Sequence, residues 1–280
     1  MRQKVFIAGG LGAWCLAWLL VSLLLAPLAA PAAQPPEFRV LRPGLELAFL
    51  SAAASVRAGS DRVAVLRVDP RRLHLRVLAA PRGREGHNAG EWLRRSGALA
   101  VINAGQYMPD GTYIGLLIQD GRVRGHLAGQ PEGLFLADPE DTSLPLARVL
   151  DLRYSAFDPE HSPYRQAAQS IMLLDRFGQI RVRRSAKVAH RSAVAEDDQG
   201  RILFMVTEGG HTLWELASFL KTTGLGLREV MCMDGGQEAQ MVVQVGGFHY
   251  HQYGGPTGSP EFPLPWPAPA LPAVLAVFAP

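Results

Sequence analysis

Short apolar runs broken by turns rich in glycine, proline and aspartate dominate the chain from residue 60 onward, and this pattern predicts strands more than helices. Residues 63–68 and 73–78 flank Asp69-Pro70-Arg71-Arg72 and read as a hairpin. The run 99–102 is a strand that ends on Asn103-Ala104-Gly105-Gln106-Tyr107. A hairpin follows, with 114–118 turning through Gln119-Asp120-Gly121-Arg122 into residues from 123. Residues 133–137 are a further strand, whereas 138–165, studded with prolines, read as irregular connection. Two more hairpins are predicted: 170–174 with 180–182 around Asp175-Arg176-Phe177-Gly178, and 192–195 with 202–207 around Asp197-Asp198-Gln199-Gly200. Helical spacing appears twice, each time behind a capping box. Asn88 and Glu91 open one helix at Trp92 and Leu93; Thr212 and Glu215 open another through Leu213, Leu216, Ala217 and Leu220. The pattern predicts an α+β fold: a mixed, mainly antiparallel β-sheet with a few packed helices, in a single domain over residues 60–280.

The N-terminus reads differently. Arg2 and Lys4 precede an uncharged apolar run over residues 5–28 and then Ala29-Ala30-Pro31-Ala32-Ala33, the order of a secretory signal peptide. The run is also long enough to span a bilayer, so residues 1–33 are either a cleaved signal or an N-terminal membrane anchor acting through 5–28. Both readings place the rest in the periplasm or outside the cell. A proline-rich connector over 34–59 joins the leader to the domain. With 28 basic and 25 acidic side chains, and Arg2 and Lys4 in the leader, the body is close to neutral. That balance makes no nucleic-acid binder, and Arg181, Arg183 and Arg184 are too short a cluster to make one.

Candidate chemistry centres on Glu229-Val230-Met231-Cys232-Met233-Asp234-Gly235-Gly236-Gln237-Glu238. An apolar strand that stops on a carboxylate and two glycines delivers an acid where backbone or ligand can approach closely; Asp-Gly is equally a tight-turn signal. Asn103 and Gly105, at another strand end, offer an amide and exposed N–H groups, or again only a turn. Arg191 enters one strand of a predicted hairpin and Glu208 leaves the other, so the two are expected to be neighbours. Cys232 reads as a small buried hydrophobe and has no partner in the body for a disulfide, Cys15 being in the leader. No pair of histidines or cysteines has zinc-ligand spacing, and no metal or cofactor is expected.

These residues carry a resemblance. Asn103-Ala104-Gly105, Arg191-Ser192-Ala193-Val194, Glu208-Gly209, Leu213-Trp214-Glu215-Leu216-Ala217 and Met233-Asp234-Gly235-Gly236 stand in the order and approximate spacing of the phosphodiester glycosidase family. Residues 271–277 resemble that family's last strand. The family includes an α-N-acetylglucosaminidase that removes N-acetylglucosamine from a sugar phosphodiester, and many exported bacterial proteins associated with exopolysaccharide. Three positions depart from its pattern. Gln237-Glu238 replace Gly-Ser after Asp-Gly-Gly, Glu208-Gly209-Gly210 replaces Asp-Gly-Arg, and Gln106-Tyr107 replaces an aromatic pair.

The resemblance implies an exported glycosidase acting on a sugar–phosphate linkage in a glycan or cell-envelope polysaccharide. A phosphate leaving group is already a stable anion, so its departure needs charge stabilisation more than a proton. Arg191 is the expected phosphate ligand, helped by N–H groups of Gly105, Gly235 and Gly236, with Asn103, Ser192 and Glu238 also toward substrate. Asp234 is the expected catalytic carboxylate; Glu208 and Glu238 compete for the second role. Two other classes of function share these residues: a non-catalytic carbohydrate-binding or exopolysaccharide-assembly protein, and a phosphodiesterase that cuts the P–O bond.

Overall fold

Runs that are apolar at every position, not at alternate ones, become strands buried on both faces, and such strands need a layer on each side. The computed structural model describes Met1 and residues 36–81, 84–108, 110–256 and 268–280. Chain contacts separate residues 1–34 from 35–280, and the fold is that of the second unit. It runs through strands β1 (Arg39–Arg42), β2 (Leu45–Ser51), β3 (Ala58–Val68) and β4 (His74–Ala79) to helix α1 (Ala89–Ser96). Next come β5 (Ala100–Asn103), β6 (Gln106–Tyr107), β7 (Tyr113–Ile114), β8 (Leu116–Gln119), β9 (Arg122–Gly125), β10 (Gly133–Pro139), β11 (Ala147–Asp151) and β12 (Tyr164–Leu174). The chain continues through β13 (Ser192–Asp197), β14 (Ile202–Gly210), helix α2 (Leu213–Leu220), β15 (Leu227–Cys232), β16 (Gln240–Val245), β17 (Phe248–Tyr253) and β18 (Ala273–Phe278).

Two large sheets face each other. One has the order β1-β2-β3-β14-β13-β15-β12-β10-β11, with β8 and β9 attached through β12; the other has the order β17-β16-β5-β18-β4. Each strand pairing is antiparallel. The main core lies between the sheets, where Leu66, Phe204 and Met231 of the first meet Ile102, Met241 and Leu275 of the second. Alternate residues point the other way: Val65, Met205 and Val230 pack under Leu216, Ala217 and Leu220 of α2, and Val101, Val274 and Ala276 pack under Ala89 and Leu93 of α1. The result is a helix, sheet, sheet, helix stack. With two helices among the described residues, the fold is more β-rich than a balanced α+β, although the mainly antiparallel sheet and single domain are as expected.

Both predicted capping boxes form. Asn88 accepts from Glu91 N and Glu91 accepts from Asn88 N; Thr212 and Glu215 do the same. The hairpins β8–β9 and β13–β14 form, and Asp120 and Gly121, both at positive φ, make the first of these turns. Other expectations are corrected. β3 and β4 are not a hairpin: β3 has β2 and β14 on its edges and β4 pairs with β18, so residues 69–72 carry the chain between facing sheets. The stretch read as a connector holds β1, β2 and the start of β3, and the stretch read as irregular after 138 holds β11. Beyond β12 the predicted partner strand shrinks to one bridge, Leu174 with Ile180. Residues 5–28 and Trp266 lie outside the described residues. Among those described, no helix is long and apolar enough to cross a membrane.

One cross-strand pair has a stability consequence. Glu196 and Glu229 stand directly opposite each other in β13 and β15, at 7% and 6% exposure. Burial, and then the Glu196 charge, push the Glu229 carboxyl upward, against Arg148 and Arg176. A carboxyl that holds its proton more tightly when folded loses stability as pH rises from its unfolded value through its folded one. Glu229→Gln is therefore expected to raise Tm at pH 8 by roughly 2–4 °C and to leave it nearly unchanged near pH 4. Thermal melts at the two pH values check this; a lower Tm at pH 8 contradicts it.

Candidate active site

Asp234 follows directly on the end of β15, at the place where the two sheets meet, and both sheets hold it. From the smaller sheet, Asn103 Nδ2 at the end of β5 donates to Asp234 O at 2.9 Å, and Asp234 N donates to Gly105 O at 2.7 Å. From the larger, Ser192 Oγ donates to the same Asp234 carbonyl at 3.1 Å, while Met233 N donates to Ser192 O. The side chain is then aimed by two backbone donors, Tyr107 N on Oδ2 at 3.1 Å and Gly235 N on Oδ1 at 2.9 Å. Gly105 is required by space as well as by its φ of 65°, because a Cβ there would fall on the Tyr113 ring. Tyr113 is fixed in turn by its hydroxyl donating to Gln169 O and by an edge-to-face contact with Tyr107.

Burial pushes the Asp234 carboxyl up, opposed by the Tyr107 and Gly235 N–H groups and by the Lys187 and Arg191 charges. Glu238 follows in a single 3₁₀ turn, Gly236–Glu238; burial raises its carboxyl too, and the Asp234 charge adds to that. Two neighbouring carboxyls that burial shifts upward are the ingredients of acid–base or nucleophilic work.

Arg191 is the cation of this group. Its side chain is buried, with Nε donating to His211 O at 2.9 Å and Nη2 to Lys187 O at 2.6 Å. Among the described residues it pairs with no carboxylate. Nη1 lies against Gly235, where a Cβ would be 3.0 Å away, so glycine at 235 is what lets the guanidinium approach the Asp234 turn. Desolvation lowers the Arg191 pKa without neutralising a group that stays charged in proteins. A buried guanidinium held by carbonyls alone carries a net charge that an anion would neutralise.

The structure thus brings together Asp234, Glu238, Arg191, Asn103, Gly105, Ser192, Gly235 and Gly236, with some roles changed. Asn103 and Ser192 hold the Asp234 backbone, although Asn103 Oδ1 is buried without a partner. The three glycine N–H groups expected to face phosphate are already donated, from Gly105 to Met233 Sδ, from Gly235 to Asp234 and from Gly236 to His190 O. Glu208 is not brought to Asp234: Arg62 binds its carboxylate at 2.8 Å and the Tyr250 hydroxyl donates to it at 3.1 Å. Nor does it pair with Arg191, because Thr207 stands opposite Arg191 and Glu208 projects from the other face of β14.

Sequence reasoning missed Lys187 and gave no role to Tyr107, His190 and His211. The Tyr107 role is a backbone one, which residue type does not reveal. Lys187 sits four residues before Arg191 in a segment without periodicity. His190 Nδ1 accepts from Gly255 N, and burial lowers His190 and brings His211 down to about 4, so both imidazoles are neutral supports near neutral pH. Cys232 is the inert hydrophobe expected, its thiol pushed up by burial to about 12. No group of three or more metal-ligating side chains occurs among the described residues. An open groove of about 580 Å³ lies elsewhere, between α1 and the β16–β17 hairpin, and its lining has no carboxylate.

The helix, sheet, sheet, helix stack thus presents two carboxyls raised by burial beside an arginine with no carboxylate partner among the described residues. Residues 96–266 match the sequence model of the phosphodiester glycosidase family, and the chain belongs to that family. No curated protein matches the sequence significantly. Among solved structures the fold is similar to the zebrafish N-acetylglucosamine-1-phosphodiester α-N-acetylglucosaminidase catalytic domain auto-inhibited by its pro-peptide, with a TM-score of 0.60 and 17% identity over 88% of this chain and 87% of that one. It is also similar to a hypothetical protein from Synechocystis, with a TM-score of 0.55 and 14% identity over 89% of this chain and 64% of that one. A Burkholderia pseudomallei protein described as exported matches with a TM-score of 0.51 and 13% identity, over 78% and 74% of the two chains.

Proposed function

We propose that this protein is an exported hydrolase that cleaves the glycosidic bond of a sugar phosphodiester in a glycan or cell-envelope polysaccharide. The observation that carries the reading is Arg191, a buried cation with no carboxylate partner among the described residues, beside Asp234 and Glu238. Family membership supplies the reaction class. In this reading the phosphate lies against Arg191 Nη1 and the anomeric carbon faces Asp234. As the bond between that carbon and the phosphate oxygen breaks, its electron pair leaves on the phosphate, and Arg191 meets the charge. One carboxylate, Asp234 or Glu238, takes the proton of the attacking water, and the free sugar and a phosphomonoester depart. Glu238 takes the second carboxylate role in place of Glu208, because Glu238 shares a field with Asp234 and Glu208 is held by Arg62 and Tyr250.

Export is supported by the leader sequence and by the exported relative. Residues 34–280, offered a panel of sugar phosphodiesters, should release free sugar and phosphomonoester. Arg191→Ala should lose about 10²–10³-fold in kcat/KM on these anionic substrates. Silence across the panel by a folded protein that still binds glycans would establish the carbohydrate-binding reading instead.

A further inference from the structure

Some arginines of this surface lie against carboxylates, Arg57 with Glu215, Arg62 with Glu208, Arg67 with Glu46, Arg76 with Asp120 and Arg201 with Asp197, and others, Arg94, Arg95 and Arg122 among them, have no carboxylate partner among the described residues. The segment from residue 181 to 189 differs in gathering such cations in one short stretch beside the candidate site. Arg181 is internal, enclosed by Glu132, Asp151 and Asp175, but Arg183, Arg184 and Lys187 are exposed and have no carboxylate partner among the described residues. Arg184 is instead held over the Trp214 ring of α2 at 4.5 Å, which fixes the charge without neutralising it.

The backbone that displays these cations is tied at both ends. Arg181 N donates to Leu173 O and its guanidinium is locked in the acidic cage; at the other end Lys187 O accepts from Arg191 and Ala189 bridges to His211. Lys187 acts electrostatically on both Asp234 and Glu238, so the row of charge begins at the candidate site. Four extended residues cover at most about 13 Å, which is the reach from Lys187 to Arg183. A single phosphate is met by Arg191 and leaves this row unmatched. Unpaired, pre-positioned cations leading away from an anion site are complementary to a ligand with several anionic groups in succession.

We propose that residues 181–189 form a docking strap for a polyanionic glycan, a chain carrying phosphate on successive units, with one phosphate at Arg191 and its neighbours along Lys187, Arg184 and Arg183. This rests on the glycosidase reading of the site, and it names the substrate as a polymer, not a small sugar phosphate. The test is calorimetric binding of phosphorylated dextran, unmodified dextran and a single-stranded oligodeoxynucleotide, at low and physiological salt, to the protein and to Arg183→Ala/Arg184→Ala. Phosphorylated dextran should bind at least about tenfold tighter than either control, and the double variant should lose about tenfold in that affinity while hydrolysing a monomeric sugar phosphodiester at the parental rate. Equal binding of phosphorylated dextran by parent and variant would overturn the strap, and equal binding of the oligonucleotide would overturn its preference for glycans. Because binding is read without turnover, absence of hydrolysis would count against the site reading and not against the strap.

Discussion

Asp234→Asn is expected to lower kcat for sugar phosphodiester hydrolysis on the order of 10⁴-fold, with the fold intact. The loss follows from charge: the amide cannot take a proton from water or attack an anomeric carbon. Folding should survive, because most of what fixes residue 234 acts on its backbone. Asn103 Nδ2 and Ser192 Oγ donate to its carbonyl and Gly105 accepts from its N–H, and none of these bonds uses the carboxylate. The variant loses one acceptor, since an amide oxygen can satisfy Tyr107 N or Gly235 N but not both. It also removes a half-buried carboxyl whose charge the fold disfavours. The two effects oppose each other, and Tm should move by no more than roughly 4 °C. Steady-state kinetics and a thermal melt of the same preparation check this; full activity in the variant would remove Asp234 from the chemistry.

Arg181→Ala is expected to be the more damaging change to stability. Its side chain is 5% exposed, and the Asp151 and Asp175 side chains it meets are both at 0%. Removing the cation leaves the Asp151 and Asp175 carboxylates without it in a place water does not reach, a change that costs about 3–5 kcal/mol. In a domain of this length the fall in Tm should be roughly 6–20 °C. The exposed pair of Arg71 with Asp69 is the control: Arg71 is 65% exposed, and Arg71→Ala should leave Tm nearly unchanged. Equal melting temperatures for the two variants would mean that Arg181 does not hold the base of the 181–189 segment as the geometry indicates.

Much of the fold was legible because its signals are local. Both helices announce themselves by a capping residue and a glutamate three positions on, and the β8–β9 and β13–β14 turns by their glycines and aspartates. What was not legible is which strands pair at a distance. Residues 63–68 and 73–78 look like a hairpin because they are short apolar runs around a turn, yet the first is buried on both faces, the second alternates buried and exposed positions, and each belongs to a different sheet; nothing local distinguishes a turn within a sheet from a turn between sheets. The site divides in the same way. The placing of Asp234 and Arg191 side by side was readable from motif order, whereas the surroundings of Glu208 and Glu238 were not. Glu208 is held by Arg62 and Tyr250, and Glu238 lies in the single 3₁₀ turn that follows Asp234, where burial and the Asp234 charge raise its carboxyl. Lys187 left no trace in the sequence, because its importance comes from a carbonyl that Arg191 holds.

The bond that is cut tests the central claim most directly. Hydrolysis of a sugar phosphodiester in water enriched in oxygen-18 should place the label in the released sugar and none in the phosphomonoester, because attack at the anomeric carbon leaves the phosphate with the bridging oxygen. Label in the phosphomonoester would show attack at phosphorus and contradict the assignment of Asp234 and Arg191 to glycosidic cleavage.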